Sequence, residues 1–234
     1  MARPETLVES KSSTIPLLEP GDHLTRDEFE RRYDAMPDLK KAELIGGIVY
    51  MASPVRLQHH GRPHSHISAW LTTYEAHTPG LLTGDNVSVR LVGDDMPQPD
   101  AILMIEQSRG GQASVSDDDY IEGAPELVVE VAASTASIDL NAKLRAYQSN
   151  GVREYLAWRI LDRAIDWFVL VDGKFQRLEP GADGISRSIV FPGLWLDAQA
   201  LLSANFARVL EILNQGMSSV DHAAFVARLN PPTG

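Results

Sequence analysis

A mixed α/β fold is what this sequence predicts, and three observations predict it. Strand-sized apolar runs recur along the chain, most clearly ELVVEVA at residues 126–132, followed by runs at 153–160, 164–171 and 174–178. Amphipathic helical stretches alternate with them, notably at about 64–77 and 138–149. The 234 residues, 44% hydrophobic and 23% charged, suffice for one sizeable core and are few for two.

Residues 1–20 lack periodicity and are expected to form a flexible N-terminal arm, with a single domain over 21–229 and a frayed tail at 230–234. Thr25 followed three residues later by Glu28 is a capping-box signature. Phe29 and Tyr33, at i and i+4, give a short helix ending near Met36-Pro37. Residues 42–53, AELIGGIVYMAS, read as two strands about a Gly46-Gly47 turn. After a loop with Pro54 and Gly61-Arg62-Pro63, Ile67, Leu71 and Tyr74 share one face of the 64–77 helix, which Gly80 ends. Strands are expected at 86–92 and 99–105, and 107–123 reads as a polar, glycine-rich surface loop. The 126–132 run is apolar on both faces, the mark of a central strand. The 138–149 helix stops at Asn150-Gly151, and Asp172-Gly173 is a hairpin turn. A last strand at 187–196, broken at Phe191-Pro192-Gly193, precedes helices that close the chain.

Composition excludes several classes. Without cysteine there is no disulfide, thiolate metal site or cysteine nucleophile. No apolar run is long enough to span a membrane, and no secretory signal opens the chain, which fits a cytoplasmic protein. The net charge of −11 repels nucleic acid, so any nucleic-acid role requires a local basic rim, a bound cation, or both.

Within this frame four residues stand out. Glu130 lies inside the apolar LVVEV strand, where a carboxylate must be protonated, paired or bound to a cation. A salt bridge to arginine or lysine is the plainer alternative. Asp100 follows Pro99 at the mouth of the AILMI strand, a place where turn residues are common. Lys143 sits at the edge of the helical face made by Leu140, Leu144 and Tyr147 and can point back toward the strand end. Asp139 and Lys143 read equally well as an i,i+4 surface pair. Glu43 opens a strand, usually a solvated position.

In the order Glu43, Pro99-Asp100, Glu130, Lys143 the chain resembles the Uma family of bacterial restriction endonucleases, a branch of the PD-(D/E)XK nuclease superfamily. The matching segments are AELIGGIVYMASP, QPDAIL, PELVVEVAASTASIDLNAKLRAYQSNGVREYLAW and VFPGLWL, within roughly residues 24–203. The superfamily pattern places a lysine two residues after the second acid. Here Ala132 stands in that place, and the resemblance assigns the role to Lys143 on the following helix. It implies a restriction-endonuclease-like mixed β-sheet flanked by helices, and a DNA endonuclease that hydrolyses phosphodiester bonds. Asp100, Glu130 and Glu43 would hold Mg²⁺ or Mn²⁺, hard cations suited to oxygen ligands, and Lys143 would orient water or stabilise phosphate charge. The alternative is a degenerate nuclease-fold protein that binds DNA or a protein partner, which Ala132 and the acidic charge both favour.

Arg62 and His64 are candidate substrate contacts, with Arg56 as a further member of a phosphate-binding rim. His59, His60, His64 and His66 cluster, but Gly61 and Pro63 interrupt any regular ligand spacing. Asp117-Asp118-Asp119 lacks the spacing of a calcium loop, and Ser53, Ser65 and Ser134 sit in no nucleophile elbow. Apolar C-terminal helices and the paired strands at 153–178 offer surface for a homodimer, which would suit double-strand cleavage.

Overall fold

The computed structural model describes residues 15–51, 56–133 and 139–231. The first fourteen residues of the expected arm, the hairpin end with Ser53 and Pro54, the segment 134–138 with Ser134, and the last three residues of the tail lie outside the described residues.

The centre is a six-stranded sheet. Its strands are β3 (Leu81–Asp85), β5 (Ala101–Ile105), β8 (Leu127–Ala132), β9 (Glu154–Arg159), β10 (Ala164–Val171) and β11 (Lys174–Arg177). They lie in the order β11-β10-β9-β8-β5-β3. Only the β8–β9 pair is parallel, so the sheet is mixed. A parallel neighbour requires a crossover, here made by the turn Asp139–Lys143 and helix α3 (Leu144–Ser149). That crossover carries Lys143 back toward the strand that bears Glu130.

One sheet face packs Leu127, Val129 and Val131 against helix α2 (Arg62–Ala76) and the closing helices α4 (Ala198–Leu202), α5 (Phe206–Met217) and α6 (Val220–Leu229). The other packs Val128 against Tyr147 and Tyr155. A third cluster joins Phe29 of helix α1 (Arg26–Asp34) to the hairpin β1 (Ala42–Ile45) and β2 (Ile48–Met51), and Leu18 is buried there. The β1–β2 turn places Gly46 and Gly47 at φ 59° and 74°, the left-handed values that a two-residue hairpin turn demands. Among the described residues no helix is long and apolar enough to cross a membrane.

Several expected elements are corrected. Thr25 is the N-cap of α1, but the capping box does not form, because Arg31 and Arg32 take the Glu28 carboxylate. The strand expected at 86–92 is displaced: the sheet strand is 81–85, and only β4 (Val89–Arg90) is extended there. Gly84 permits this, since a Cβ would lie 2.8 Å from Val87 and 2.9 Å from Ile102. The 107–123 loop contributes β6 (Ser114–Val115) and β7 (Ile121–Glu122), which pair with each other, and β7 pairs with β4 on its other side. The final strand is two, β12 (Ile185–Arg187) and β13 (Trp195–Asp197), joined by a bend whose amides at Ile189 and Val190 donate to buried Glu154.

Candidate active site

Two strand ends create the site. β5 and β8 run antiparallel with Ala101 opposite Val129, so the next residues, Asp100 and Glu130, face each other. Both are buried, at 3% and 2% exposure. Asp100 Oδ2 accepts the Val131 amide at 2.7 Å, which fixes its plane against the sheet and leaves Oδ1 toward the site. Glu130 Oε1 accepts the Tyr147 hydroxyl at 2.8 Å.

Lys143 enters from the crossover. Its Nζ lies 2.9 Å from Glu130 Oε1, 2.8 Å from Glu43 Oε1 and 3.5 Å from Asp139 Oδ1. An ammonium has three donors, and three carboxylates share this one. Glu43 Oε1 also accepts the Gln98 amide at 2.7 Å. The surface reading of Asp139 and Lys143 is therefore corrected, since both are buried within the crossover. Glu43 is not solvated either, because the hairpin turns it inward to Lys143.

The structure adds Lys41, absent from the sequence-derived set, and His60, named there only in the histidine cluster. Lys41 Nζ donates to Asp100 Oδ1 at 2.9 Å, and His60 Nε2 stands 3.3 Å from the same oxygen. A signal for Lys41 was present: it lies two residues before Glu43, and alternate residues of an extended chain share a face. His64 Nε2 lies 2.7 Å from the Asp100 carbonyl oxygen and 2.7 Å from Asp85 Oδ1, so His64 borders the site through the backbone. Arg56 and Arg62 are exposed on either side of the turn that carries His60. His66 stacks on Phe206 instead.

The electrostatics are unbalanced. Glu43, Asp100, Glu130 and Asp139 stand against the ammonium groups of Lys41 and Lys143, leaving two negative charges when all are ionised. Burial pushes Asp100 up, but the His60 bond and the Lys41 charge outweigh it and hold the carboxyl well below the usual range. Burial pushes Glu130 up; Lys143 offsets only part, and Asp139, Asp100 and Glu43 push it further. Burial disfavours the Lys143 charge, yet Glu130, Glu43 and Asp139 keep it firmly protonated.

An all-oxygen donor set with two surplus negative charges fits a hard divalent cation. Among the described residues, however, no three His, Asp or Glu side chains stand as a ready cation cage. Asp100 is paired with Lys41, and Glu43, Glu130 and Asp139 surround Lys143. A groove of about 500 Å³ lies elsewhere, lined by Arg187, Trp195, Phe225 and Arg228. It holds no converging buried carboxylates, so the strand-end cluster is the better chemical candidate.

Comparison with known proteins bears on the family and the fold. A family model described as "Putative restriction endonuclease" (Uma2) matches residues 26–199. No curated protein matches the chain. A crystal structure from Anabaena variabilis, of "a putative nuclease belonging to DUF820", superposes with a TM-score of 0.53 at 13% identity. The match covers 76% of this chain and 99% of that one, and shows that the two share a fold.

Proposed function

The chain belongs to the Uma2 restriction-endonuclease family, and from that premise we propose that it is a Mg²⁺- or Mn²⁺-dependent endonuclease that hydrolyses DNA phosphodiester bonds. The observation that carries this reading is the facing pair Asp100 and Glu130, buried at adjacent strand ends with more negative charge than two lysines neutralise.

Asp100 and Glu130 would hold the ion, with Glu43 as a third oxygen donor. When bound, the ion lowers the pKa of a coordinated water and neutralises charge developing on phosphate. Lys143, held charged beside Glu130, orients the attacking water or stabilises the phosphate oxygens. The water oxygen bonds to phosphorus and one P–O ester bond breaks. The water proton passes to the departing oxygen, which leaves a phosphomonoester and a free hydroxyl. Arg56 and Arg62, exposed at the rim, supply the local positive charge that a chain of net charge −11 needs to hold DNA.

Ala132 at the usual lysine position, with both lysines seated on carboxylates, favours a second reading: a nuclease fold that binds DNA without cutting it. Incubation of supercoiled plasmid with Mg²⁺ or Mn²⁺ separates the two. The nuclease reading expects metal-dependent nicking by wild type that is lost in Asp100→Ala and Glu130→Ala. Folded wild type that retards DNA but leaves plasmids and varied duplexes intact with every metal would establish the second.

A further inference from the structure

We propose that Lys41 is a phosphate-binding residue that neutralises Asp100 while the cation is absent and moves to the substrate phosphate when a divalent ion takes that carboxylate; this rests on the nuclease reading above.

Asp100 has one oxygen to offer. Oδ2 is engaged by the Val131 amide inside the sheet, and Oδ1 is held by Lys41 at 2.9 Å and His60 at 3.3 Å. Because Oδ2 is turned into the sheet, a divalent ion entering from the site side meets that same oxygen. Two cations at one oxygen repel, so Lys41 must withdraw.

Lys41 is able to withdraw and Lys143 is not. The Lys143 side chain is 5% exposed and gripped by three carboxylates. The Lys41 side chain is 20% exposed, and its second contact is the neutral Asn86 Oδ1 at 3.3 Å. Its four-carbon stem lets the ammonium swing while the backbone stays at the start of β1. The natural new partner is an anion arriving with the ion, namely the scissile phosphate. The two lysines thereby divide the work: Lys143 stays with the carboxylates, and Lys41 exchanges Asp100 for substrate.

The test is Mn²⁺ titration of the full chain, without DNA, read by the loss of the free-ion paramagnetic signal. Wild type, Asp100→Asn, Lys41→Met and Lys41→Arg are compared. Removing a competing, partly exposed cation should tighten Mn²⁺ binding by about fivefold in Lys41→Met. The same variant should lose about a hundredfold in kcat on plasmid DNA, as for loss of one transition-state donor, and Lys41→Arg should restore part of it. Lys41→Gln, which keeps a polar contact to Asp100, substitutes if the methionine variant does not fold. Mn²⁺ binding that is lost in Asp100→Asn but unchanged by every Lys41 substitution, with cleavage intact, overturns the Lys41 proposal and leaves the nuclease reading standing. Failure of wild type to bind Mn²⁺ or cut DNA overturns both.

Discussion

Replacing Glu130 by glutamine should make the metal-free protein more stable, whereas replacing Lys143 by methionine should make it far less so. Glu130 is 2% exposed and shares one ammonium with Glu43 and Asp139. Its desolvation is therefore offset by a fraction of one partner. In Glu130→Gln the amide oxygen still accepts from Lys143 and Tyr147, two carboxylates still face the ammonium, and the excess charge falls. Neutralising one member of such a cluster should stabilise by about 1–3 kcal/mol. At about 2–4 °C per kcal/mol for a chain of this size, Tm should rise by roughly 2–12 °C. Lys143→Met strands three buried carboxylates, a loss of about 3–5 kcal/mol and a Tm drop of roughly 6–20 °C. Thermal melts followed by circular dichroism, in EDTA at neutral pH, read both. Excess Mg²⁺ should raise the wild-type Tm and leave that of Glu130→Gln where it was. A Glu130→Gln variant as unstable as Lys143→Met would mean instead that Glu130 is a structural counter-ion of Lys143.

Three further outcomes follow from other parts of the fold. Gly84→Ala should cost about 1–3 kcal/mol in urea unfolding, because its Cβ would lie 2.8 Å from Val87 and 2.9 Å from Ile102; unchanged stability would mean that β3 has room to shift. Burial lowers the His222 pKa below its ordinary 6.5, so the neutral ring contributes stability above that value, which is lost as pH falls through the lowered folded value; His222→Gln should flatten the pH dependence of Tm over that window. Arg62→Ala should weaken duplex binding in Ca²⁺ and reduce the salt slope by about one; an unaltered slope would remove Arg62 from the rim.

The fold was legible where burial is symmetric. Strands at 127–132, 154–159 and 164–171 are mostly apolar, interrupted inside by Glu130 and Asp166, and each lies between two neighbouring strands. The 81–85 edge strand was not legible, since Thr83-Gly84-Asp85 interrupts the apolar pattern and only pairing with 101–105 makes it a strand. Glu130 was legible because an acid inside LVVEV has no cheap explanation. The i,i+4 spacing of Asp139 and Lys143 is the same on an exposed or a buried helix face, and the crossover's placement over the sheet decides which one holds. Lys41 meets Asp100 across 59 residues of chain, a contact that tertiary pairing of the hairpin with the strand ends creates and local pattern does not encode. Its alternation with Glu43 was a usable clue to the shared face, though not to the partner.

On this reading Asp100 gives up Lys41 to a divalent ion that it holds together with Glu130, while Lys143 keeps its place. The most direct test is a crystal of the full chain soaked in Mn²⁺ and measured at a wavelength where manganese scatters anomalously. The expected result is a peak bonded to Asp100 Oδ1 and a Glu130 oxygen, with Lys41 displaced from Asp100 and Lys143 still beside Glu130. Both lysines seated on their carboxylates at saturating Mn²⁺, with no peak between the strand ends, would contradict it.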